Sequence, residues 1–461
     1  MRSYLIGLLA IAAPLGFLAL LKPPASESPE ERRAVASGRT VITYWDRHSG
    51  HEHEARCVLI DEFNRLQDDV FVRALPIGYN IEKLLTAIAG GSPPDLCSLE
   101  STVLISLAPQ GCFRCLDDFM AQSPHLKKER FFPHTWEAIS YKGRAYGIPT
   151  TTDAFCLLWN KDAFRRAGLD PERPPRTLAE LEDFAARLTV RGNKGIEQLG
   201  FLPWLPWDLT HMWGGLFGGR WFDNITGLAV CGNNQRIVES FAWQRSFTLD
   251  PNAKTQKAFA MDPTKIAAFR SGFGAYMSAS NPFYTGKVAM IAEGEWQVTF
   301  IPKYAPELDW GVAALPQPQG AEPRCYSPSC VLDAIPAGSP HPDAAWAFLQ
   351  WFYTPRSDGR PSPATDYCAM ISNIPCRPED AKDHRFMGNP KFRVFVEELL
   401  TKPVVTYPVT PAAQFMLDQI ERQREYVVFR ETAPGEAAER LENDTNREIM
   451  RIRSLLDRTR Q

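Results

Sequence analysis

The sequence predicts an α/β protein of two lobes with interleaved segments, on three observations. Between Thr40 and Glu100 the residue pattern alternates strand, helix, strand, helix, strand, the opening of a parallel sheet. At 461 residues the chain exceeds one ordinary domain and suggests two. In the stretch Tyr146–Gly168, YGIPTTTDAFCLLWNKDAFRRAG, the polar loop Thr150, Thr151, Thr152, Asp153 separates a proline-fixed extended pair from an apolar run of strand length. Such a loop is a good place to bind something.

Met1 to Leu21 carries one charge, Arg2, and an apolar run from Tyr4, the pattern of an export signal or a membrane anchor. Residues 22 to 39 are rich in Pro, Ser and Glu and read as a linker. The folded part opens with the strand Thr40–Trp45, followed by a helix carrying Ala55, Val58, Leu59, Phe63 and Leu66. A second strand over Val70 to Ala74 and a helix stopped by Gly90-Gly91 come next, then a short strand from Leu96 that ends at Glu100. In the central stretch, Asn160 caps a short helix over Lys161 to Arg166, which ends at Gly168. Thr177-Leu178-Ala179-Glu180 is a capping box. Gly200 to Asp223 holds Trp204, Trp207, Trp213 and Trp221, too apolar for an ordinary solvated loop. A strand leads to Glu293-Gly294-Glu295-Trp296, a helix runs from about Asp343 to Tyr353, and a charged amphipathic helix spans Ala437 to Arg460.

Composition narrows the function. Hydrophobic content of 44% and charged content of 23% describe a well-cored soluble globule, and a net charge of −3 leaves no electrostatic footprint for nucleic acid. The 12 tryptophans supply core, and also flat faces that stack on sugar rings. The ten cysteines are too sparse for a disulfide scaffold. Cys112/Cys115, Cys325/Cys330 and Cys368/Cys376 lie close in sequence with their redox state open, while Cys57, Cys97, Cys156 and Cys231 read as small core residues. No GxSxG, Walker or HExxH pattern is present, so no cofactor is expected. The His48, His51, Glu52, His53, Glu54 cluster reads as a polar helix-capping loop in preference to a metal site, and no metal is expected.

Together, the pieces DEFNRL (61–66), IAGGSPPDL (88–96), GCFRCLDDF (111–119), YGIPTTTDAFCLLWNKDAFRRAGLD, PPRTLAELEDFAARLT, HMWGGLFGG, FYTGKVAMIAEGEW, LDWGVAALP, IPAGSPHPDAAWAFLQW and NIPCR (373–377) resemble the family 1 extracellular solute-binding proteins of ABC importers, the maltose-binding-protein-like group. The resemblance covers nearly all of the chain from Val41 onwards. It implies a two-lobed periplasmic-binding-protein fold of type II, with lobes joined at a hinge. One lobe would hold 40–150 with a returning segment near 300–350, the other 151–299 with most of 351–461. It also implies a monomer in the periplasm that captures a sugar, polyol or sugar phosphate and delivers it to the transmembrane permease, tethered to the membrane if the N-terminal segment is uncleaved. A tethered ligand sensor and a carbohydrate-active enzyme are the rival readings. Cysteines replace the family's usual residues in GCFRCLDDF and NIPCR.

In open α/β sheets ligands lie at the carboxyl ends of strands. That rule selects Trp45, Asp46 and His48 after the first strand and Glu100 after the third, against core and surface alternatives. Thr151 and Asp153 sit where the chain passes between lobes. Trp213 is the expected stacking platform, with Gly214 allowing close backbone approach. Glu293 and Trp296 match a family segment that contacts ligand, and Arg377 matches the family's late basic residue.

Overall fold

The computed structural model describes residues 28–193, 195–252, 254–273 and 278–458. The predicted signal or anchor, residues 1–21, lies outside the described residues. Part of the expected linker is helical: Pro29–Ala36 is capped by Ser28, whose hydroxyl accepts from Glu31 N. Ala34 is buried and Glu31 meets Arg73 at 2.8 Å, so tertiary contact orders a segment that composition alone marks as loose.

Two sheets organise the chain. The larger has six strands in the order Ile374–Pro375, Ile148–Thr152, Cys330–Ala334, Leu96–Glu100, Thr40–Asp46, Val70–Pro76. The first three in chain order run parallel, as their β–α–β spacing requires, and the later strands add antiparallel. The smaller sheet centres Phe155–Asn160 between Met290–Gly294 and Trp310–Ala313, both antiparallel to it. Each sheet has its own core. Ile42, Tyr44, Leu59, Phe63, Leu96 and Leu99 pack with Phe348 and Phe352 around the first. Leu157, Trp159, Phe164, Phe201, Trp213, Phe247 and Ile291 pack around the second. The C-terminal helix Pro434–Arg458 adds Ala437, Ala438 and Leu441 to a smaller cluster with Trp221, Ile237 and Phe241.

Local signals set most helices. Asn80 accepts from Lys83 N, Asn160 from Ala163 N and Thr177 from Glu180 N, each filling an orphan donor of a first turn. The predicted capping box closes one residue early: Glu180 accepts from Arg176 N rather than from Thr177. Gly168 ends the Lys161–Arg166 helix with φ +66°. Of the segment near 300–350 expected in the first lobe, the Cys330–Ala334 strand and the Pro342–Tyr353 helix lie in the first core, whereas Ile301, Trp310 and Leu315 pack in the second. The first core reaches further than expected, taking Ala364, Tyr367 and Ile371 from the Pro363–Ile371 helix.

Arg56 and Asp333 are locked inside the first lobe. Both side chains are fully buried, and Arg56 Nη1 donates to Asp333 Oδ2 at 3.2 Å. Tyr44 and Tyr353 hydroxyls each donate to the same carboxylate at 2.7 Å. The guanidinium lies 4.1 Å from the Tyr367 ring centroid and 4.9 Å from that of Phe352. The pair thus joins the Thr40–Asp46 strand, the His51–Leu66 helix and the late returning segments. Removing one partner strands a buried charge, whereas removing both does not. Asp333→Ala should therefore cost about 3–5 kcal/mol of first-lobe stability, and Arg56→Met with Asp333→Leu clearly less. A double-mutant cycle by chemical denaturation measures the difference.

Candidate functional site

The chain passes from one sheet to the other at Asp153-Ala154, the two residues between the Ile148–Thr152 and Phe155–Asn160 strands. The buried carboxylate of Glu295 accepts from Ala154 N at 3.0 Å and so fixes this crossing to the end of the Met290–Gly294 strand. Asn373, from the segment leading into the edge strand, donates through Nδ2 to Asp153 Oδ1 at 3.2 Å and to Glu295 Oε1 at 3.3 Å. The carboxylate of the crossing and that of the second lobe therefore share one amide.

Opposite them stands the end of the first strand. Arg47 donates to Glu100 at 2.6 Å, with its guanidinium 4.5 Å from the Tyr79 ring centroid, and Glu100 keeps 40% of its side chain exposed. Burial raises the Asp153 carboxyl, the Glu100 charge raises it further, and together they outweigh Arg47 and Asn373, pushing it up to about 7. Burial, then the Asp153 charge, raises Glu295 well above its ordinary range. Burial opposes the Arg47 charge, but Glu100, Tyr79 and Asp153 prevail and hold it above its usual value. Tyr407, half-buried, is pushed up to about 12 by burial, although its hydrogen bond with Tyr326 acts the other way; the charges of Glu100 and Asp153 also reach it.

Aromatic surface borders this polar group. Trp296 is half-buried, its ring edge-on to Phe155 at 5.6 Å, and it folds back over Gly294, where a Cβ would lie 2.3 Å from the indole. Trp207 is 38% exposed and donates its Nε1–H to the buried Glu293 at 2.7 Å. Together the group offers hydroxyl-binding carboxylates, an amide and a guanidinium beside flat apolar faces.

Several predicted ligand contacts take other roles. Asp46 is fully buried and accepts from His48 N, Ser98 Oγ and the His53 ring. Burial raises its carboxyl, but the hydrogen bonds from His48 and His53 and the charge of Arg56 more than offset this and hold it well below the ordinary range. His48 is buried with Nδ1 3.2 Å from Tyr367 Oη. Trp213 is 0% exposed, its ring covered by Phe201 and Trp243 and its Nε1–H given to Pro203 O, so it presents no face for stacking. Gly214 makes room for the Trp221 ring, 2.1 Å from a Cβ placed there, and not for a ligand. Arg377 is buried against Asp380, Ser362 Oγ and Tyr353 O. Thr151 is spent in sheet pairing with Val331 and Pro375, and Trp45 is half-buried with the Lys83 ammonium 5.0 Å from its ring centroid.

Glu100, Asp153, Glu293 and Trp296 remain at or beside the crossing. Arg47, Asn373, Glu295, Trp207 and Tyr407 were not anticipated there, although Asn373 and Glu295 lie inside the quoted NIPCR and EGEW segments. All ten cysteines are free thiols. Among the described residues no group of three or more His, Cys, Asp or Glu side chains has metal-binding geometry, and no helix is long and apolar enough to cross a membrane.

Two lobes, each with its own sheet, joined by a strand crossing with polar groups from both sides: this is the architecture of a two-lobed binding protein. The model of the bacterial extracellular solute-binding protein family matches residues 58–358, and the chain belongs to that family. It is 26% identical over 290 residues to the sn-glycerol-3-phosphate-binding periplasmic protein UgpB of Escherichia coli, covering 61% of this chain and 62% of that one. It is 24% identical over 327 residues to the maltotriose-binding protein of Pyrococcus abyssi, covering 69% of this chain and 63% of that one. The chain thus spans a little under two thirds of the length of these relatives. Among solved structures, CpMnBP1 with mannotriose bound superposes with a TM-score of 0.76 at 29% identity, over 88% of this chain and all of that one. The sugar-binding protein MalE of Xanthomonas citri shares the fold, with a TM-score of 0.70 at 21% identity over 91% of this chain and 99% of that one.

The raised carboxyls carry a pH signature. A carboxyl with a folded-state value above its unfolded value of 3.8 binds its proton more tightly when folded. Its contribution to stability is fully present below about pH 4 and is lost as pH rises towards about 7. Asp153→Asn removes that loss, so its melting temperature relative to the parent chain should climb across this window. Parallel melts in one buffer series provide the check.

Proposed function

We propose that this protein is the substrate-binding component of an ABC importer, which captures a sugar or related polar solute between its lobes and delivers it to a membrane permease. The observation that carries the reading is the meeting of Arg47, Glu100, Asp153, Glu295 and Asn373 at the strand crossing, beside the rings of Trp207, Trp296 and Tyr407. Carboxylates and amides hydrogen-bond hydroxyl groups, and aromatic faces cover the apolar side of a pyranose ring. The match to CpMnBP1 over its whole length supports an oligosaccharide, and the similarity to UgpB supports small phosphorylated polyols as a second class to test. The protein acts by binding, without turnover, on the extracytoplasmic side of the membrane, with residues 1–21 as its export signal or anchor. Solute drives closure because it binds the closed form better than the open one.

Isothermal titration of the chain with mannobiose, mannotriose, maltotriose and sn-glycerol 3-phosphate tests the reading. One of them should bind, and Asp153→Ala and Trp296→Ala should each weaken it by about tenfold or more, the loss expected when a buried hydrogen bond or stacked face is removed. Binding that survives both substitutions unchanged, or release of cleaved sugar, would overturn it.

A further inference from the structure

One nucleophile lies outside the crossing. Cys57, expected from the sequence to be a core residue, is partly exposed, on the same side of the His51–Leu66 helix as the exposed Glu54 and Val58. One turn earlier, His53 places Nε2 3.4 Å from Cys57 Sγ. Its other nitrogen, Nδ1, lies 3.0 Å from Oδ2 of the buried Asp46. Asp46 is itself immobilised by His48 N at 3.0 Å and Ser98 Oγ at 3.1 Å. Thiol, imidazole and carboxylate thus form an ordered chain of nucleophile, base and orienting group.

From this geometry we infer that Cys57 is a reactive thiol that exchanges with low-molecular-weight disulfides, with His53 as its base and Asp46 as the positioning residue. The Cys57 proton passes to His53 Nε2, and the imidazolium is held through Nδ1–H by the Asp46 carboxylate. The thiolate attacks one sulfur of R–S–S–R, that S–S bond breaks, and Cys57–S–S–R forms. The leaving thiolate takes up the proton as R–SH, so the exchange balances with no further reactant.

The surroundings fit. The hydrogen bonds with Asp46 and then Cys57 raise the His53 imidazole to about 9, so at neutral pH it holds the proton that the thiol gives up. The charged and titratable groups around the relay are Asp46 and His48 from the strand end, Arg56 from the helix, and Tyr367 from the helix packed across it. Among the described residues none of the other cysteines has a histidine bonded to it. Seven of the ten are buried, and the two remaining partly exposed thiols, Cys112 and Cys115, are pushed up by burial. These two serve as internal references.

The test is reaction of the native full chain with 4,4′-dithiodipyridine, with peptide mapping of the adducts and Cys57→Ser to assign the fast phase. Cys57 should react about tenfold or more faster than Cys112 and Cys115 at neutral pH. Its rate should change less than about threefold from about pH 6 to about pH 8, where an unassisted thiol gains about tenfold per pH unit. His53→Gln should bring both rate and pH profile to those of Cys112. A Cys57 rate no higher than the references, or one unchanged in His53→Gln, overturns the assignment. If His53→Gln does not fold, the pH profile of the parent chain decides alone, a tenfold rise per unit being the contrary result.

Discussion

The hydrogen bond from Ala154 N to Glu295, made where a strand of the large sheet runs almost directly into a strand of the small sheet, is the constraint on which the molecule depends. Only Asp153 and Ala154 separate the two strands, so the direction of the chain at this crossing is set by a few backbone dihedrals. Glu295 ties that short crossing to the second lobe, and Asn373 ties it to the segment entering the edge of the first sheet. A hinge built this way needs no flexible linker. The chain also passes between the cores after the Trp310–Ala313 strand and after the Pro363–Ile371 helix, so a swing of one core against the other turns these connections together.

The same constraint explains the charges. A carboxylate that must accept a backbone N–H inside the protein sits in a poor environment for its negative charge, and Asp153 beside it makes matters worse. The Arg47 guanidinium, held by Glu100 and faced by Tyr79, is the counterweight. The polar groups are thus pre-arranged where the two lobes meet, and bringing them together was accomplished during folding. The first lobe meets an analogous demand in its core, where Asp333 accepts from Arg56, Tyr44 and Tyr353 and joins segments almost three hundred residues apart.

Much of the fold was legible in the sequence because its signals are local. The caps at Asn80, Asn160 and Thr177, the stop at Gly168 and the alternating burial of Thr40–Asp46 each follow from a few neighbouring residues. The site was only partly legible because its assignments are tertiary. Trp207 and Trp213 stand six positions apart in one aromatic-rich segment, and the packing of Phe201 and Trp243 decides that Trp213 is the buried one. Arg377 has its charge met by Asp380 three residues on, but also by Ser362 and Tyr353, which no local pattern reveals. Asn373 reaches Asp153 across 220 positions of sequence. Asp46 looked like a strand-end ligand, and the intervening turn brings His53 back to seal it.

The most direct test of hinge closure is small-angle X-ray scattering of the chain during titration with an oligosaccharide that binds it. The radius of gyration should fall in step with occupancy, and in Asp153→Ala the fall should shift to the higher sugar concentrations at which that weakened chain fills. A radius of gyration unchanged at saturating sugar would contradict the claim that the Asp153-Ala154 crossing works as a hinge.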